Sequence, residues 1–112
     1  MKGTNLGEFE ELVLLAVGVL NNEAYSIAIC NEIKRITKRK VGFAVVHSAL
    51  HRLEEKGYVD SRLGGATNER GGRSKRMFTI SQAGKKALLR AKSQRDELWS
   101  LIPKVVFKNV GG

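Results

Sequence analysis

The chain has 112 residues, which is enough for one domain with a single hydrophobic core, and its apolar fraction of 42% argues against wholesale disorder. Its 20 Lys and Arg residues outnumber 11 Asp and Glu residues and give a net charge of +9, which indicates an anionic partner. Nucleic acid is the commonest such partner, with an acidic protein or a membrane surface as alternatives, and the single cysteine excludes a disulfide framework and a cysteine-rich zinc site.

A first helix is predicted over residues 7–20, where apolar side chains cover more than one stripe and indicate burial on two sides. Asn5 and Glu8 have the spacing of a capping box, and Asn21-Asn22 is expected to end the helix because asparagine tolerates left-handed backbone. This segment has acidic residues where a signal peptide needs apolar ones, and its apolar run is too short to span a bilayer. We therefore expect a cytoplasmic protein without a membrane partner.

A second helix is predicted over residues 25–38, where isoleucines and Cys30 recur at three-residue spacing. Cys30 is expected to be a buried small hydrophobe rather than a redox sensor. The helix leads into a run of five cations at residues 34–40. Such a run suits either a solvated helix end or phosphate contact, and we favour phosphate contact because another helix follows directly.

The third helix is predicted over residues 44–56, with Gly57 as its C-terminal cap and an apolar face at i, i+3, i+4, i+7 spacing. The opposite face has side chains suited to base edges in a DNA groove. The candidate base-reading residues on that face are Val45, His47, Ser48, His51 and Arg52. His47 and His51 also have the i, i+4 spacing of a two-histidine metal site, but no further ligand is evident, so we expect no metal.

After the third helix the hydrophobic period changes, and strands are predicted at residues 58–63 and 76–80. The segment between them is rich in glycine and cations, which predicts a flexible hairpin tip. Three helices followed by such a hairpin form a winged helix-turn-helix, which places the third helix in the major groove and the hairpin, or wing, beside the DNA backbone. The candidate backbone-contacting residues are Lys38, Lys40, Arg70, Arg73, Lys75 and Arg76.

The predicted fold is therefore mainly α with a small antiparallel β-hairpin, a winged helix-turn-helix plus a C-terminal dimerisation helix. Ser81 is a good N-cap for this last helix, whose apolar stripe has an approximate heptad spacing suited to packing along another helix. Pro103 either ends the helix or kinks it. We divide the one compact unit into residues 1–80, the DNA-binding part with its N-terminal helix, 81–107, the dimerisation helix, and 108–112, a frayed tail.

The candidate dimer-interface residues are Leu12, Leu88, Leu98, Trp99, Ile102 and Val105. Trp99 has a second interpretation, as part of an effector pocket for a flat hydrophobic molecule. We favour a filler of the dimer core, because the helix is short and no other aromatic residue is expected to cluster beside Trp99. The sequence has no Ser/His/Asp arrangement, phosphate-binding loop or pair of carboxylates in a plausible cleft, so we expect neither an enzyme nor a cofactor.

Two blocks of the chain resemble the PadR family of bacterial transcription regulators, of the type with a short C-terminus. Residues 50–59, LHRLEEKGYV, are similar to the family's LxRLEExGLL helix end, and residues 71–84, GGRSKRMFTISQAG, are similar to its GGRPRKYYRLTEAG wing strand. The resemblance covers roughly residues 12–88. It implies a homodimer in which the C-terminal helix packs against the partner's N-terminal helix. It also implies a pseudo-palindromic operator, repression in most members, and often a small hydrophobic effector.

The chain departs from that family at the start of the recognition helix. The family usually has a Gly-Thr-Ile-Tyr-Pro run there, and this chain has Ala44-Val45-Val46-His47-Ser48. His47 occupies the place of a tyrosine that commonly touches DNA, so the target sequence does not follow from the resemblance. Two other functions stay open, a protein–protein adaptor that uses the winged helix to bind an acidic partner and a non-specific architectural DNA binder.

Overall fold

The structure is a computed structural model that describes residues 5–64 and 75–110. Its helices are α1 (Glu8–Leu20), α2 (Ser26–Thr37), α3 (Phe43–Glu55) and α4 (Gln82–Leu101), and its strands are β1 (Val59–Leu63) and β2 (Arg76–Ile80). Short 3-10 helices at Asn21–Glu23 and Lys104–Phe107 follow α1 and α4. The predicted fold class, mainly helical with one antiparallel hairpin, is confirmed, and the predicted helices and strands are all present with small shifts in their bounds.

The hydrophobic core lies where α1, α2 and α3 meet the hairpin. Helix α1 contacts α2, α3, β2 and α4, which explains why its apolar residues cover more than one stripe. Each fully buried aliphatic side chain of this kind stabilises the fold by about 1.5–3 kcal/mol. The largest fully buried side chains are Leu14, Ile29, Leu50, Leu53, Val13, Val17, Val46 and Val59.

The start of α1 differs from the prediction, because the residue that precedes the helix is Gly7 rather than Asn5. The Gly7 amide donates to Oε1 of Glu10 at 3.2 Å, so the carboxylate three residues after the cap is Glu10 and the predicted pairing of Asn5 with Glu8 is wrong. The other end of α1 is as predicted, since Asn21 has a φ of 52°.

The hairpin pairs β1 with β2 in antiparallel register, from Val59 opposite Ile80 to Leu63 opposite Arg76. The segment before α2 adds to this sheet, because Tyr25 forms a β-bridge with Met77 and the Phe78 amide donates to the Ala24 carbonyl at 2.8 Å. The base of the wing is therefore fixed to the start of α2. The rest of the predicted tip, including Arg70 and Arg73, lies outside the described residues.

Helix α4 begins at the predicted cap, where Ser81 Oγ accepts from the Gly84 amide at 3.0 Å. It ends at Leu101, and Pro103 ends the helix rather than kinking it, because the backbone before the proline is extended. Val105 consequently lies in the following 3-10 helix and not on the α4 stripe. In the part of the chain that the structure describes, none of the helices is long and apolar enough to cross a membrane.

Candidate nucleic-acid interface

Helix α3 has one buried face and one exposed face. Val46, Ala49, Leu50 and Leu53 are buried, which confirms the predicted apolar stripe. The opposite face is exposed and mixes small, apolar and polar side chains. It contains all five candidate base-reading residues, Val45, His47, Ser48, His51 and Arg52. Their contact with bases stays a prediction.

The chain leaves α3 through a Schellman motif. Gly57 has a φ of 80°, a left-handed conformation that glycine adopts without a steric penalty. The Tyr58 amide donates to the Leu53 carbonyl at 2.9 Å, and the Gly57 amide donates to the Glu54 carbonyl at 3.0 Å. The predicted cap is thus confirmed, and it turns the chain from α3 directly into β1.

A carboxylate of α1 joins the C-terminal half of α3 to the core. Glu10 is buried, and its Oε2 accepts from Arg52 Nε at 2.8 Å while its Oε1 accepts from Lys56 Nζ at 2.6 Å. Burial raises the pKa of the Glu10 carboxyl, but hydrogen bonds from Lys56, Arg52 and the Gly7 amide outweigh burial, so the pKa lies below its ordinary value of 4.5. The sequence analysis missed Glu10, because nothing in the local pattern of α1 shows which cations meet it.

Arg52 is therefore held partly within the protein. Its guanidinium pairs with Glu10, although 49% of the side chain remains exposed. His51, one residue earlier, lies 3.5 Å from a carboxylate oxygen of Glu55 and is 69% exposed. The structure thus gives Arg52 a structural partner that the sequence analysis did not anticipate, and its contact with DNA stays a prediction.

The cationic run before α3 divides into residues that face solvent and residues that pair within the protein. Arg39 donates to Glu8 Oε2 at 2.7 Å and places its guanidinium 5.6 Å from the centre of the Phe9 ring. Lys38 and Lys40 are exposed, and neither has an ion-pair partner among residues 5–64 and 75–110. The two lysines chosen as candidate phosphate contacts are therefore available to an anion, whereas Arg39 is committed to α1.

The base of the wing has two more candidate backbone-contacting residues. Lys75 places its ammonium 4.2 Å from the centre of the Tyr25 ring, a cation–π contact with the segment before α2. Arg76 donates to Ser61 Oγ at 2.9 Å, and that hydroxyl donates to Glu54 Oε2 at 2.6 Å. Both cations are exposed. The contact through Ser61 and Glu54 holds Arg76 next to α3, whereas Lys75 lies against the segment before α2.

An open cavity of about 290 Å³ separates α3 from the second wing strand. It brings His47 and His51, two candidate base-reading residues, next to Arg76, a candidate backbone-contacting residue. Glu54, Leu50 and Phe78 complete its lining. The structure thus places candidates from both predicted sets on one surface, as DNA contact by α3 and the wing requires.

Phe43 is a residue of this surface that the sequence analysis did not select. It is the first residue of α3 and is 51% exposed, and its ring stacks on His47 with ring centroids 6.0 Å apart and an angle of 19° between the planes. The available signal was an aromatic residue at the helix start that falls outside the buried stripe. A helix start predicted one residue later, at Ala44, removed Phe43 from consideration.

The candidate dimer-interface residues differ in exposure. Leu98, Trp99 and Val105 are exposed, and Leu12, Leu88 and Ile102 are half-buried. Trp99 stacks on Phe107, with ring centroids 5.5 Å apart and an angle of 16° between the planes. The expectation that no aromatic residue clusters beside Trp99 was therefore wrong, because the chain turns at Pro103 and the 3-10 helix returns Phe107 to the end of α4.

Cys30 is buried, and its Sγ donates to the Val41 carbonyl at 3.5 Å, so its prediction as a core residue is confirmed. Across residues 5–64 and 75–110, no group of three or more His, Cys, Asp or Glu side chains is placed to hold a metal ion.

Comparison with known proteins agrees with this arrangement. The model of the PadR-like family of transcriptional regulators matches residues 14–90. No curated protein sequence matches the chain. A PadR-like transcription factor from Bacteroides fragilis has a similar structure, with a TM-score of 0.68 and 18% sequence identity over 82% of this chain and 84% of that one.

Two further solved structures share the fold. A transcriptional regulator from Clostridium thermocellum has a TM-score of 0.62 and 25% identity over 91% of this chain and 92% of that one. RosR from H. salinarum has a TM-score of 0.67 and 17% identity over 88% of this chain and 81% of that one. Because the family model matches well over half of its residues, this protein belongs to the PadR-like family of transcriptional regulators.

Proposed function

We propose that this protein is a homodimeric repressor that binds a pseudo-palindromic operator in double-stranded DNA. In each protomer α3 enters the major groove and the wing lies along the adjacent backbone. The two α3 helices of the dimer then meet successive major grooves about 34 Å apart, one helical turn of DNA. A regulator of this kind acts in the cytoplasm.

The observation that supports DNA binding best is the arrangement of charge around the exposed face of α3. Lys38 and Lys40 lie exposed before the helix, and Arg76 lies across the cavity from His47. A DNA groove has phosphates along both of its sides and base edges between them. The cations on both sides of α3 match the phosphates, and the small and polar side chains of its exposed face match the base edges.

The homodimer is supported by the apolar stripe of α4, which is buried along only part of the helix. Gly84 and Ala87 are buried, and Arg95, further along the same face, pairs with Glu11 of α1 at 2.6 Å. Beyond Arg95 the stripe continues to Leu98, which is 66% exposed. A second copy of the chain would cover this continuation, since large exposed apolar surfaces mark interaction sites.

Light scattering tests the dimer directly. Leu98→Asp places a carboxylate on the uncovered stripe and is expected to give the mass of a monomer at a concentration at which the unchanged protein is a dimer. Leu89→Asp is the matched control, because Leu89 is 68% exposed but lies on the other side of α4. A monomeric unchanged protein, or equal masses for both variants, would contradict the proposed interface.

A small hydrophobic effector is a further part of the proposal. The exposed stack of Trp99 on Phe107 is a flat apolar surface that such a molecule could extend. We still favour a role for Trp99 in filling the dimer core, because the surface formed by Trp99 and Phe107 adjoins the exposed apolar stripe at Leu98. Trp99 fluorescence distinguishes the two, since dimer burial shifts the emission with protein concentration and effector binding shifts it with ligand.

Fluorescence anisotropy with labelled duplexes tests DNA binding. If each protomer neutralises about three to five phosphates, a plot of log K against log salt has a slope of roughly −5 to −9 for the dimer. A slope near zero would overturn the phosphate contacts. Absence of binding to random duplexes at low salt would favour an adaptor for an acidic protein. Equal affinity for all duplexes would favour a non-specific architectural protein.

A further inference from the structure

Phe43 has an exposed aromatic side chain that is not part of the core. It is 51% exposed at the first position of α3, and its ring is stacked on the imidazole of His47. The two residues are four apart, so they share one edge of the exposed face of the helix. A stacked pair has already lost much of its side-chain freedom, which lowers the entropic cost of using it in a contact.

The surroundings of this pair favour DNA as its partner. Lys38 and Lys40 precede Phe43 in the chain and are exposed, and Arg76 lines the same cavity as His47. A second copy of the chain placed here would bring two cationic surfaces together, which is unfavourable. The same cationic surface attracts a polyanion such as DNA, which also exposes base edges between its phosphates.

The chemistry of the Phe43 ring selects one feature of those base edges. In the major groove, thymine presents a C5-methyl group, against which apolar side chains such as Phe and Ala pack. Ala44 is exposed beside Phe43 and is small, so the backbone at the start of α3 can approach the groove closely. A fixed aromatic ring at this place is therefore suited to contact a methyl group rather than to form a hydrogen bond.

We infer that Phe43 is a specificity-determining residue that selects thymine at one position of each half-site by packing its ring against the C5-methyl group. His47, held by the stack, then faces the neighbouring base with its ring nitrogens. The inference rests on the proposed function, since it requires DNA in contact with α3. It adds a residue and a base preference that the candidate base-reading set did not include.

The test uses a duplex selected by the full-length protein from a pool of random sequences. Each thymine of the selected half-site is replaced in turn by uracil, which pairs in the same way and lacks only the methyl group. Removing one buried methyl group weakens binding about fourfold. We expect one position at which uracil has this effect on the unchanged protein, and about 16-fold weaker binding when both half-sites are changed.

Phe43→Ala is expected to remove the uracil penalty at that one position, so that the thymine and uracil duplexes bind the variant equally well. Phe43→Leu keeps an apolar side chain and should keep part of the penalty. Leu89→Ala is the control, because it removes a comparably exposed apolar side chain from α4 and should leave the full penalty. Circular dichroism shows that each variant is folded.

The possible failures are distinguishable. If the protein selects a duplex but no single uracil weakens binding, or if the penalty is the same in Phe43→Ala, the inference is wrong and DNA binding stands. If the unchanged protein enriches no duplex from the pool, the proposed function fails and the inference fails with it.

Discussion

Lys56 at the end of α3 donates from Nζ to Oε1 of Glu10 in α1 at 2.6 Å, joining residues 46 positions apart in the chain. The two side chains are only 16% and 10% exposed. This ion pair attaches α3 to α1 at the end away from Phe43. The ion pair thus fastens α3 to the core through a carboxylate that lies outside the candidate base-reading set.

Glu10→Gln is expected to lower the free energy of unfolding by about 1–3 kcal/mol, because it leaves the partly buried cations without a charged partner. Urea denaturation measures the change. Glu8→Gln is the control, since the Glu8–Arg39 pair is 67% and 44% exposed and should contribute less than about 1 kcal/mol. Equal losses for the two variants would contradict the structural role of Glu10.

The same carboxylate predicts how stability depends on pH. The pKa of Glu10 is lowered in the folded protein, so its ionised form stabilises the fold above the ordinary value of 4.5, and that contribution is lost as the pH falls through the folded pKa. The difference in unfolding free energy between the unchanged protein and Glu10→Gln should be constant from about pH 6 to 8 and shrink below about pH 4.5. Urea titrations at several pH values check this, and a difference that persists unchanged to about pH 2 would argue against it.

Gly84→Ala is expected to destabilise the protein, although alanine normally stabilises a helix by about 0.5–1 kcal/mol relative to glycine. A Cβ at Gly84 would lie only 2.2 Å from the Tyr58 carbonyl oxygen, so α4 must move away from the backbone at Tyr58. We expect a loss of about 1–3 kcal/mol in thermal or urea denaturation.

Gly18→Ala in α1 is the matched control for that substitution. Its Cβ would lie 3.1 Å from Cδ1 of Ile80, the end of a flexible side chain that can shift. We therefore expect Gly18→Ala to change stability much less than Gly84→Ala. The reverse order would show that α4 does not approach the Tyr58 carbonyl as closely as the structure has it.

Lys40→Ala and Arg39→Ala compare neighbouring cations with different surroundings. Lys40 is exposed, so its removal should weaken binding to all duplexes and make the salt slope of the dimer shallower by about 2. Arg39 is paired with Glu8, so its removal should leave the slope nearly unchanged. Anisotropy titrations at several salt concentrations measure both, and equal effects would show that the ion pair does not withhold Arg39 from DNA.

Local sequence signals predicted the order of helices and strands, because caps, periodicity and turn residues act over a few positions. Ser81 accepts from an amide three residues later, and Gly57 closes the helix that precedes it. The buried stripe of α3 followed from its i, i+3, i+4, i+7 spacing. The same periodicity placed Val45, His47, Ser48 and His51 on the exposed face, where the structure has them.

Tertiary structure decided which cations of the basic surface are free and which are paired. In the sequence, nothing distinguishes Arg52 and Arg39 from the neighbouring candidate DNA contacts. In the structure they form ion pairs with Glu10 and Glu8, which are 42 and 31 positions away. Such pairs depend on how α1 packs against α2 and α3, and no local pattern records that packing. The sequence by itself thus determined a winged helix with a basic surface. Only the packing of α1 decided that Arg39 and Arg52 pair with its carboxylates, while Lys38 and Lys40 face solvent.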